Sequence, residues 1–249
     1  MYVLQVENLT LAFGKLLALL GVSCAVAQNE LMAIIGPNGA GKTTFFNVIT
    51  GRYKPTEGTV SFKGQRIDGL SRHQIINMGI GRSFQVVNLF PDLTVFSNVR
   101  IGVLSHQKQT MNFVKNVNRL DTVSAEVNRI LDLVHLRGKS DLVAATLSHG
   151  DQKCLEMGMA LTNSPALLLL DEPTAGMGPE ETRQTIELIK DVWKRTGTTI
   201  IFTEHDLEMV FSISTRIMVL QTGQVIADGT VEEVRNNARV KEAYLGEQA

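Results

Sequence analysis

The sequence predicts an α/β fold built around a parallel sheet. Two uninterrupted apolar runs, residues 31–35 and 166–170, are typical of strands that are covered on both faces. The stretches between candidate strands carry apolar residues at helical spacing, and strands that alternate with helices form parallel sheets. The chain has 249 residues, of which 44% are hydrophobic and 20% charged, so it can bury a sizeable core.

The predicted elements follow one another along the chain. Residues 3–11 alternate between apolar and polar types, as in a half-buried strand. A helix is expected to run to Thr50, where Gly51 can end it, and Pro179 suits the first position of another helix. A region without strands, residues 91–160, predicts an inserted helical lobe. The other predicted strands are residues 59–62, 199–203 and 217–220, and the other predicted helices are residues 122–136, 154–161 and 231–245.

Composition argues against several classes of protein. Lys and Arg number 24 against 25 Asp and Glu, a net charge of -1, which argues against a large basic surface for nucleic acid. Cys24 and Cys154 are too few for a disulfide framework and lack the spacing of zinc ligands. The longest apolar run, residues 16–27, is too short to span a bilayer. It resembles the core of a secretion leader, but Glu7 and a strand-like segment precede it. We therefore expect a soluble chain whose membrane link goes through a partner.

A glycine-rich stretch carries the first chemical motif. Residues 36–43 match the pattern G-x-x-x-x-G-K-[ST], between a predicted buried strand and a predicted helix as that motif requires. Small residues let backbone N–H groups surround a phosphate chain, and the helix N-terminus adds positive potential. Lys42 can reach the β- and γ-phosphates, and the Thr43 hydroxyl can hold Mg²⁺. The candidate nucleotide-binding residues here are Gly36, Pro37, Asn38, Gly39, Ala40, Gly41, Lys42, Thr43 and Thr44.

Two acidic residues follow the second buried strand. Asp171 lies where a carboxylate can bind Mg²⁺ through water, beside a phosphate loop. Glu172 can polarise the attacking water as a general base. By itself this pair is also typical of an ordinary acidic strand end, but together with the phosphate loop it predicts nucleotide hydrolysis.

The chain resembles the ATP-binding cassette (ABC) ATPases. Residues 147–152, Leu-Ser-His-Gly-Asp-Gln, are similar to that family's signature Leu-Ser-Gly-Gly-Gln. Gln85 matches the Q-loop glutamine, His205 the switch histidine, and Phe13 the aromatic residue that stacks on adenine. The motifs occur in the family's order and cover essentially the whole chain.

The resemblance implies a fold and its subdomains. It implies a RecA-like P-loop NTPase core with an antiparallel β subdomain, formed by residues 1–88 and 161–230 of a single domain. A helical signature subdomain would be inserted over residues 89–160, and a C-terminal helix would occupy residues 231–249.

The resemblance also implies the roles of individual residues. The catalytic residues would be Glu172, His205 and Gln85, with His205 contacting the γ-phosphate. Mg²⁺ would be held by Thr43, Gln85 and Asp171. Ser148 and Gly150 would bind ATP on a second subunit, so that two ATPase subunits form a head-to-tail dimer with ATP and Mg²⁺ as cofactors.

Three positions depart from the family pattern. His149 replaces the first signature glycine, and Asp151 replaces the signature glutamine. In residues 175–178, the D-loop, Gly178 cannot supply the carboxylate that usually bridges the two subunits. We expect the signature side of this chain to contribute less to an ATP site than its phosphate-loop side contributes. A dimer of two unequal ATPases would accommodate such a difference.

Subfamily features resemble the ATPases of branched-chain amino acid importers. They are the signature, residues 81–85, 89–95 and 171–181, and the ending Glu-Ala-Tyr-Leu-Gly. Importers for urea and short amides, and the lipopolysaccharide-export ATPase, share much of the pattern. A soluble ABC ATPase and a nucleotide-binding regulator also remain open as alternatives.

The importer resemblance implies specific partners and a location. The partners would be two integral-membrane permeases, a second and different ABC ATPase and, indirectly, an external solute-binding protein, with no nucleic acid. The chain would lie peripherally at the cytoplasmic face of the inner membrane. The apolar residues between 86 and 99 are either lobe core or a groove for a permease helix.

Overall fold

The computed structural model describes residues 1–83, 89–106 and 117–245. Its strands are β1 Tyr2–Phe13, β2 Leu16–Ala27, β3 Leu31–Ile35, β4 Glu57–Phe62, β5 Gln65–Arg66, β6 Ile80–Ser83, β7 Leu167–Asp171, β8 Thr199–Thr203, β9 Arg216–Gln221 and β10 Gln224–Gly229. Its helices are α1 Lys42–Ile49, α2 Arg72–Asn77, α3 Val95–His106, α4 Val117–Leu133, α5 His149–Leu161, α6 Pro179–Thr196, α7 Leu207–Ile213, α8 Val231–Asn236 and α9 Ala238–Leu245, with short 3₁₀ turns at Arg137–Lys139 and Ala144–Thr146.

A six-stranded sheet in the order β10-β9-β3-β8-β7-β6 forms the centre of the fold. Its strands run parallel except for β10, which pairs antiparallel with β9 at one edge. All residues of β3, β7 and β8 are buried, because both faces of the sheet are covered. The predicted parallel α/β fold and the two predicted buried strands are confirmed, and the strand predicted at residues 199–203 is also fully buried.

The central sheet separates two hydrophobic cores. Alternate residues of β3 point to opposite sides, as the period of a strand requires. Ala33 and Ile35 pack in the core with helices α3 to α7, whereas Met32 and Ile34 pack with α1 and the antiparallel strands. Both cores border the strand ends that carry the predicted chemistry, so these ends are held from two sides.

A second sheet, in the order β2-β1-β4-β5, is wholly antiparallel. β2 occupies the apolar run at residues 16–27, for which the sequence analysis assigned no element. The run forms a strand because it folds back on β1 as a hairpin, with Phe13 opposite Leu16. β2 lies at the edge of this sheet. Leu16 is 67% exposed, whereas Leu19, Val22 and Val26 are buried, so the apolar run is covered on one face only.

The helices between β6 and β7 pack against one another and against α6. The predicted helix over residues 122–136 ends earlier, at Leu133, because His135 adopts a left-handed backbone with φ 58°. In the described part of this region only one isolated bridge, between Thr94 and Val143, has β geometry.

The single helix predicted over residues 231–245 is wrong. The segment forms two helices, α8 and α9, because the backbone of Asn237 leaves the helical region with ψ 124°. The Asn237 side chain then accepts hydrogen bonds from the N–H groups of Arg239 at 2.9 Å and Val240 at 3.3 Å. An asparagine at this place caps a new helix instead of continuing the old one.

Two further features concern membranes and thiols. Among the residues described, no helix is both long and apolar enough to cross a bilayer.

Cys24 and Cys154 are free thiols, and burial raises the pKa of each to about 12. Burial therefore favours the protonated thiol at both positions.

Candidate functional site

The glycine-rich loop joins β3 to α1 in a conformation that only glycine adopts readily. Gly36 has φ 152° and Gly41 φ 106°. A Cβ atom at Gly36 would lie 2.0 Å from the carbonyl oxygen of Leu220, and one at Gly41 would lie 2.7 Å from that of Ala18. The loop is therefore wedged between β2 and the end of β9, which explains its glycines.

Lys42, the first residue of α1, is buried, and its side chain reaches back into this loop. Its Nζ donates to the carbonyl oxygens of Gly36 at 2.5 Å and Pro37 at 3.1 Å. A cation held by carbonyl groups at a helix N-terminus is well placed to exchange them for a phosphate. Of the other loop residues, Asn38, Gly39 and Thr43 are exposed, Thr44 is half-buried and Ala40 is buried.

Phe13 stands at the end of β1 with its ring partly exposed. Its edge contacts the ring of Tyr53, with the centroids 5.0 Å apart and the planes at 79°. Tyr53 is joined to α1 through its backbone N–H, which donates to the Asn47 carbonyl. The aromatic pair is thus anchored beside the helix that follows the phosphate loop, where a flat base can stack.

Asp171 is held at the end of β7 by two neighbours. Its Oδ2 contacts Nη2 of Arg82 at 2.7 Å, and its Oδ1 accepts a hydrogen bond from Oγ1 of Thr203 at 3.0 Å. Arg82 also donates to Oδ1 of Asn47 in α1 at 2.8 Å. One guanidinium therefore ties α1, β6 and β7 together at the phosphate loop.

Glu172 and His205 meet across the ends of neighbouring strands. Oε1 of Glu172 lies 2.8 Å from Nε2 of His205. Glu172 has a left-handed backbone, with φ 49°, and its N–H donates to both the carbonyl and the hydroxyl oxygen of Thr203 at 3.1 Å. The structure thus brings this predicted pair into direct contact, next to Asp171.

The signature residues open helix α5. Ser148 is its N-cap and accepts a hydrogen bond from the N–H of Asp151 at 3.2 Å. The Asp151 carboxylate turns to Nζ of Lys139 at 2.5 Å, so the extra negative charge is paired within the chain. A Cβ at Gly150 would meet Oε1 of Glu181 at 3.3 Å, and Gly150 is buried there.

His149 and the D-loop are close to each other. Nε2 of His149 lies 3.4 Å from the Ala175 carbonyl oxygen. Gly176 has φ 79°, and a Cβ there would approach the same His149 nitrogen at 3.7 Å. His149, one of the departures from the family pattern, therefore contacts the D-loop at Ala175, three residues before Gly178.

Gln85, predicted as a catalytic and metal-binding residue, lies outside the described residues. Val87 lies outside them as well. The other apolar residues between positions 86 and 99 include both buried and exposed side chains. Val95 is buried in the core, while Phe90 is 45% exposed and Leu93 37% exposed. With Leu142 and Val143, whose loop pairs with residues 91–95, they form what we call the apolar patch.

Sequence reasoning missed the residues that hold the carboxylates. Arg82 was noted only as part of a motif, although a buried Asp171 requires a cation or several donors nearby. Thr203 was assigned only to a strand. The position of this hydroxyl group leaves no pattern in the sequence, because Asp171 and Glu172 become its neighbours only when β7 pairs with β8.

These features define a class of protein, a P-loop ATPase. A lysine-bearing phosphate loop follows β3, an Asp-Glu pair stands at the end of β7, and a histidine lies two residues after the end of β8, an arrangement that suits nucleotide hydrolysis. A family model for ABC transporters matches residues 8–175, and the chain belongs to the ABC transporter family. A further model, for branched-chain amino acid ATP-binding cassette transporters, matches residues 224–249.

Curated relatives extend over nearly the whole chain. It is 41% identical to the high-affinity branched-chain amino acid transport ATP-binding protein LivG of Salmonella typhimurium and of Escherichia coli, over 98% of each chain. It is 37% identical to the corresponding protein BraF of Pseudomonas aeruginosa, again over 98% of each chain. The expected relationship to ABC transporter ATPases is confirmed.

Solved structures agree on the fold. A nucleotide-free ATP-binding cassette of an ABC transporter has a TM-score of 0.84 and 31% identity over 98% of this chain and 99% of its own. An ADP-bound cassette of an ABC transporter has a TM-score of 0.86 and 32% identity over 99% of both chains. A dimeric bacterial cassette has a TM-score of 0.77 and 25% identity, over 92% of this chain and 98% of its own.

Replacing Arg82 by Met tests the tether to Asp171. The variant leaves the buried Asp171 carboxylate without its cation, a change that costs about 3–5 kcal/mol of unfolding free energy. We expect the melting temperature, measured by circular dichroism, to fall by roughly 10 °C.

The matched control is Arg183→Met. Arg183 pairs with Glu180 at 2.7 Å, but both side chains are exposed, so the loss of this pair leaves the melting temperature almost unchanged. Equal shifts in the two variants would show that the Arg82 contact does not stabilise the site.

Proposed function

We propose that this chain is the ATP-hydrolysing subunit of an importer for branched-chain amino acids. The observation that carries the proposal is the end-to-end similarity to LivG and BraF, together with the match of residues 224–249 to a branched-chain amino acid transporter model. The C-terminal match favours this cargo over lipopolysaccharide export. Urea and short amides are the second candidate cargo, because their importers share the signature pattern.

ATP would bind along the loop between β3 and α1. Backbone N–H groups of the residues after Pro37 and the N-terminus of α1 would supply positive potential, and Lys42 would move from the loop carbonyls to the β- and γ-phosphates. Adenine would stack on Phe13, whose exposed ring is fixed by Tyr53.

The oxygen donors near the phosphates suit Mg²⁺. This cation prefers hydroxyl, carboxylate and water oxygens and keeps several waters. Thr43 presents an exposed hydroxyl in the first turn of α1, and Asp171 presents a carboxylate held in place by Arg82 and Thr203. Gln85 is the third proposed ligand. Bound there, Mg²⁺ would offset negative charge on the phosphates.

Hydrolysis would use the pair at the two strand ends. Glu172 would accept the proton of the attacking water, since one of its oxygens contacts His205 and the other is left to orient water. In the tautomer with a proton on Nε2, His205 donates to Glu172 and keeps the carboxylate oriented. His205 is exposed, so it can also approach the γ-phosphate.

A second ATPase subunit would complete the site. Ser148 and Gly150 begin a 13-residue helix, and in a head-to-tail dimer its N-terminus would face the γ-phosphate of ATP on the partner. Because Gly178 offers no carboxylate to the partner, we propose a different chain as that partner. Dimeric assembly is supported by the dimeric cassette of similar fold.

The membrane partners would be two permeases, served by an external solute-binding protein. The apolar patch suits a permease helix, because exposed apolar side chains cluster there on the surface of the helical lobe. The chain would thus lie peripherally at the cytoplasmic face of the inner membrane, with no nucleic acid partner.

Replacing Lys42 by Ala tests the phosphate loop. Loss of the buried ammonium removes a charge-assisted contact, and we expect the affinity for a fluorescent ATP analogue to fall at least about tenfold. Lys63→Ala, at an exposed lysine, should bind the analogue like the unmodified chain. Unchanged affinity in Lys42→Ala would place the nucleotide elsewhere.

Replacing Glu172 by Gln tests the proposed base. The amide keeps the size of the side chain but cannot accept the proton, so phosphate release should fall by about 10²–10⁴-fold while ATP still binds. Glu180→Gln, on the exposed first turn of α6, serves as the control. Normal phosphate release by Glu172→Gln would identify another group as the base.

Affinity purification from native membranes tests the importer assignment. We expect two permeases and a second, different ATPase to co-purify with the tagged chain, as found by mass spectrometry. Recovery of soluble proteins only, or of a lipid-export assembly, would contradict the importer while leaving the ATPase chemistry intact.

A further inference from the structure

Glu204 is a buried carboxylate that the proposed hydrolysis does not use. It lies between Thr203, the last residue of β8, and His205, and its side chain is almost fully removed from solvent. A charge buried in this way is costly unless donors surround it. Its partners therefore indicate what it does.

Both oxygens of Glu204 accept hydrogen bonds. Oε1 accepts from the N–H of Thr174 at 2.9 Å and from its hydroxyl at 2.6 Å. Oε2 accepts from the N–H of His205 at 3.2 Å. All three donors are uncharged, and they come from the two loops that follow β7 and β8. The carboxylate thus joins these loops directly.

The two loops carry the groups proposed for hydrolysis. Thr174 comes two residues after Glu172 in the chain, and Glu204 immediately precedes His205. Glu172 has a left-handed backbone, which costs roughly 1–2 kcal/mol in a residue with a side chain. Such strain persists only where the surroundings hold it in place. The bonds of Thr203 hold one side of Glu172, and the bond of Glu204 to Thr174 holds the other.

We propose that Glu204 is a positioning residue that sets the contact between Glu172 and His205. The proposal rests on the proposed roles of these two residues, and it adds a group that assembles them. Through Thr174, which directly precedes the D-loop at residues 175–178, Glu204 also fixes where that loop leaves the strand end.

The chemistry requires a carboxylate and not its amide. A glutamine has one oxygen to accept and an NH₂ group that only donates. In Glu204→Gln the NH₂ group faces an N–H donor, of either Thr174 or His205, and that donor is left buried without an acceptor. The two loops would then separate, although the side-chain volume is nearly unchanged.

The first test compares kinetic constants of the full chain. Glu204→Gln and Thr174→Val should lower kcat by roughly ten- to hundredfold, the cost of misplacing reacting groups by about 1 Å, with the ATP dissociation constant unchanged. Thr174→Ser keeps the hydroxyl and should restore most of kcat. The exposed Glu208→Gln should resemble the unmodified chain. Unchanged kcat in Glu204→Gln, or a Thr174→Ser variant as slow as Thr174→Val, would overturn the proposal.

The second test does not depend on turnover. Histidine ring resonances, with His205 assigned by its loss in His205→Gln, report the contact with Glu172. In Glu204→Gln the chemical shift of the His205 ring signal should move toward its value in Glu172→Gln. Thr174→Val should change this chemical shift in the same direction. A His205 signal that stays in place in both variants would overturn the proposal.

The two tests separate two kinds of failure. If Glu172→Gln hydrolyses ATP normally but Glu204 variants still shift the His205 signal, the proposed base is wrong and the positioning of His205 by Glu204 stands. If Glu204→Gln does not fold, Thr174→Val removes one of the three bonds and decides the question by the same readouts.

Discussion

The hydroxyl group of Thr203 is the contact on which the site depends. It donates to Asp171 and accepts from the N–H of Glu172, so one β8 side chain fixes both acidic residues at the end of β7. The parallel pairing of β7 with β8 sets Asp171 opposite Thr203 and makes this contact possible. A slip in the register of these strands would part the acidic residues from their partners.

Around this contact, each neighbouring element adds one tether. Arg82 ties Asp171 to α1, and α1 begins at the phosphate loop whose lysine it carries. His205 contacts the Glu172 side chain from the next loop. Both cores bury the strands that end here, so the polar groups stand on a rigid base. This rigidity suits a site in which small displacements change the rate of chemistry.

Local motifs could be predicted from the sequence, and distant partners could not. The phosphate loop is contiguous in sequence and its own backbone requires its glycines. Residues 36–44 are therefore enough to identify it. Arg82 and Asp171 meet from positions 89 residues apart, and no local pattern pairs them. The sequence does not predict the strand at residues 16–27, because apolar and polar residues alternate only weakly there and the segment becomes a strand through its pairing with β1. The cap at Asn237 divides a segment whose apolar spacing alone predicted one helix.

The most direct test of the central claim is a crystal structure of Glu172→Gln with ATP and Mg²⁺. The account predicts the phosphates inside the loop between β3 and α1, adenine on Phe13, and Lys42 Nζ moved from the Gly36 and Pro37 carbonyls onto the phosphates. It also predicts that Thr203 keeps its bond to Asp171. A nucleotide bound elsewhere, with Lys42 still on the loop carbonyls, would contradict it.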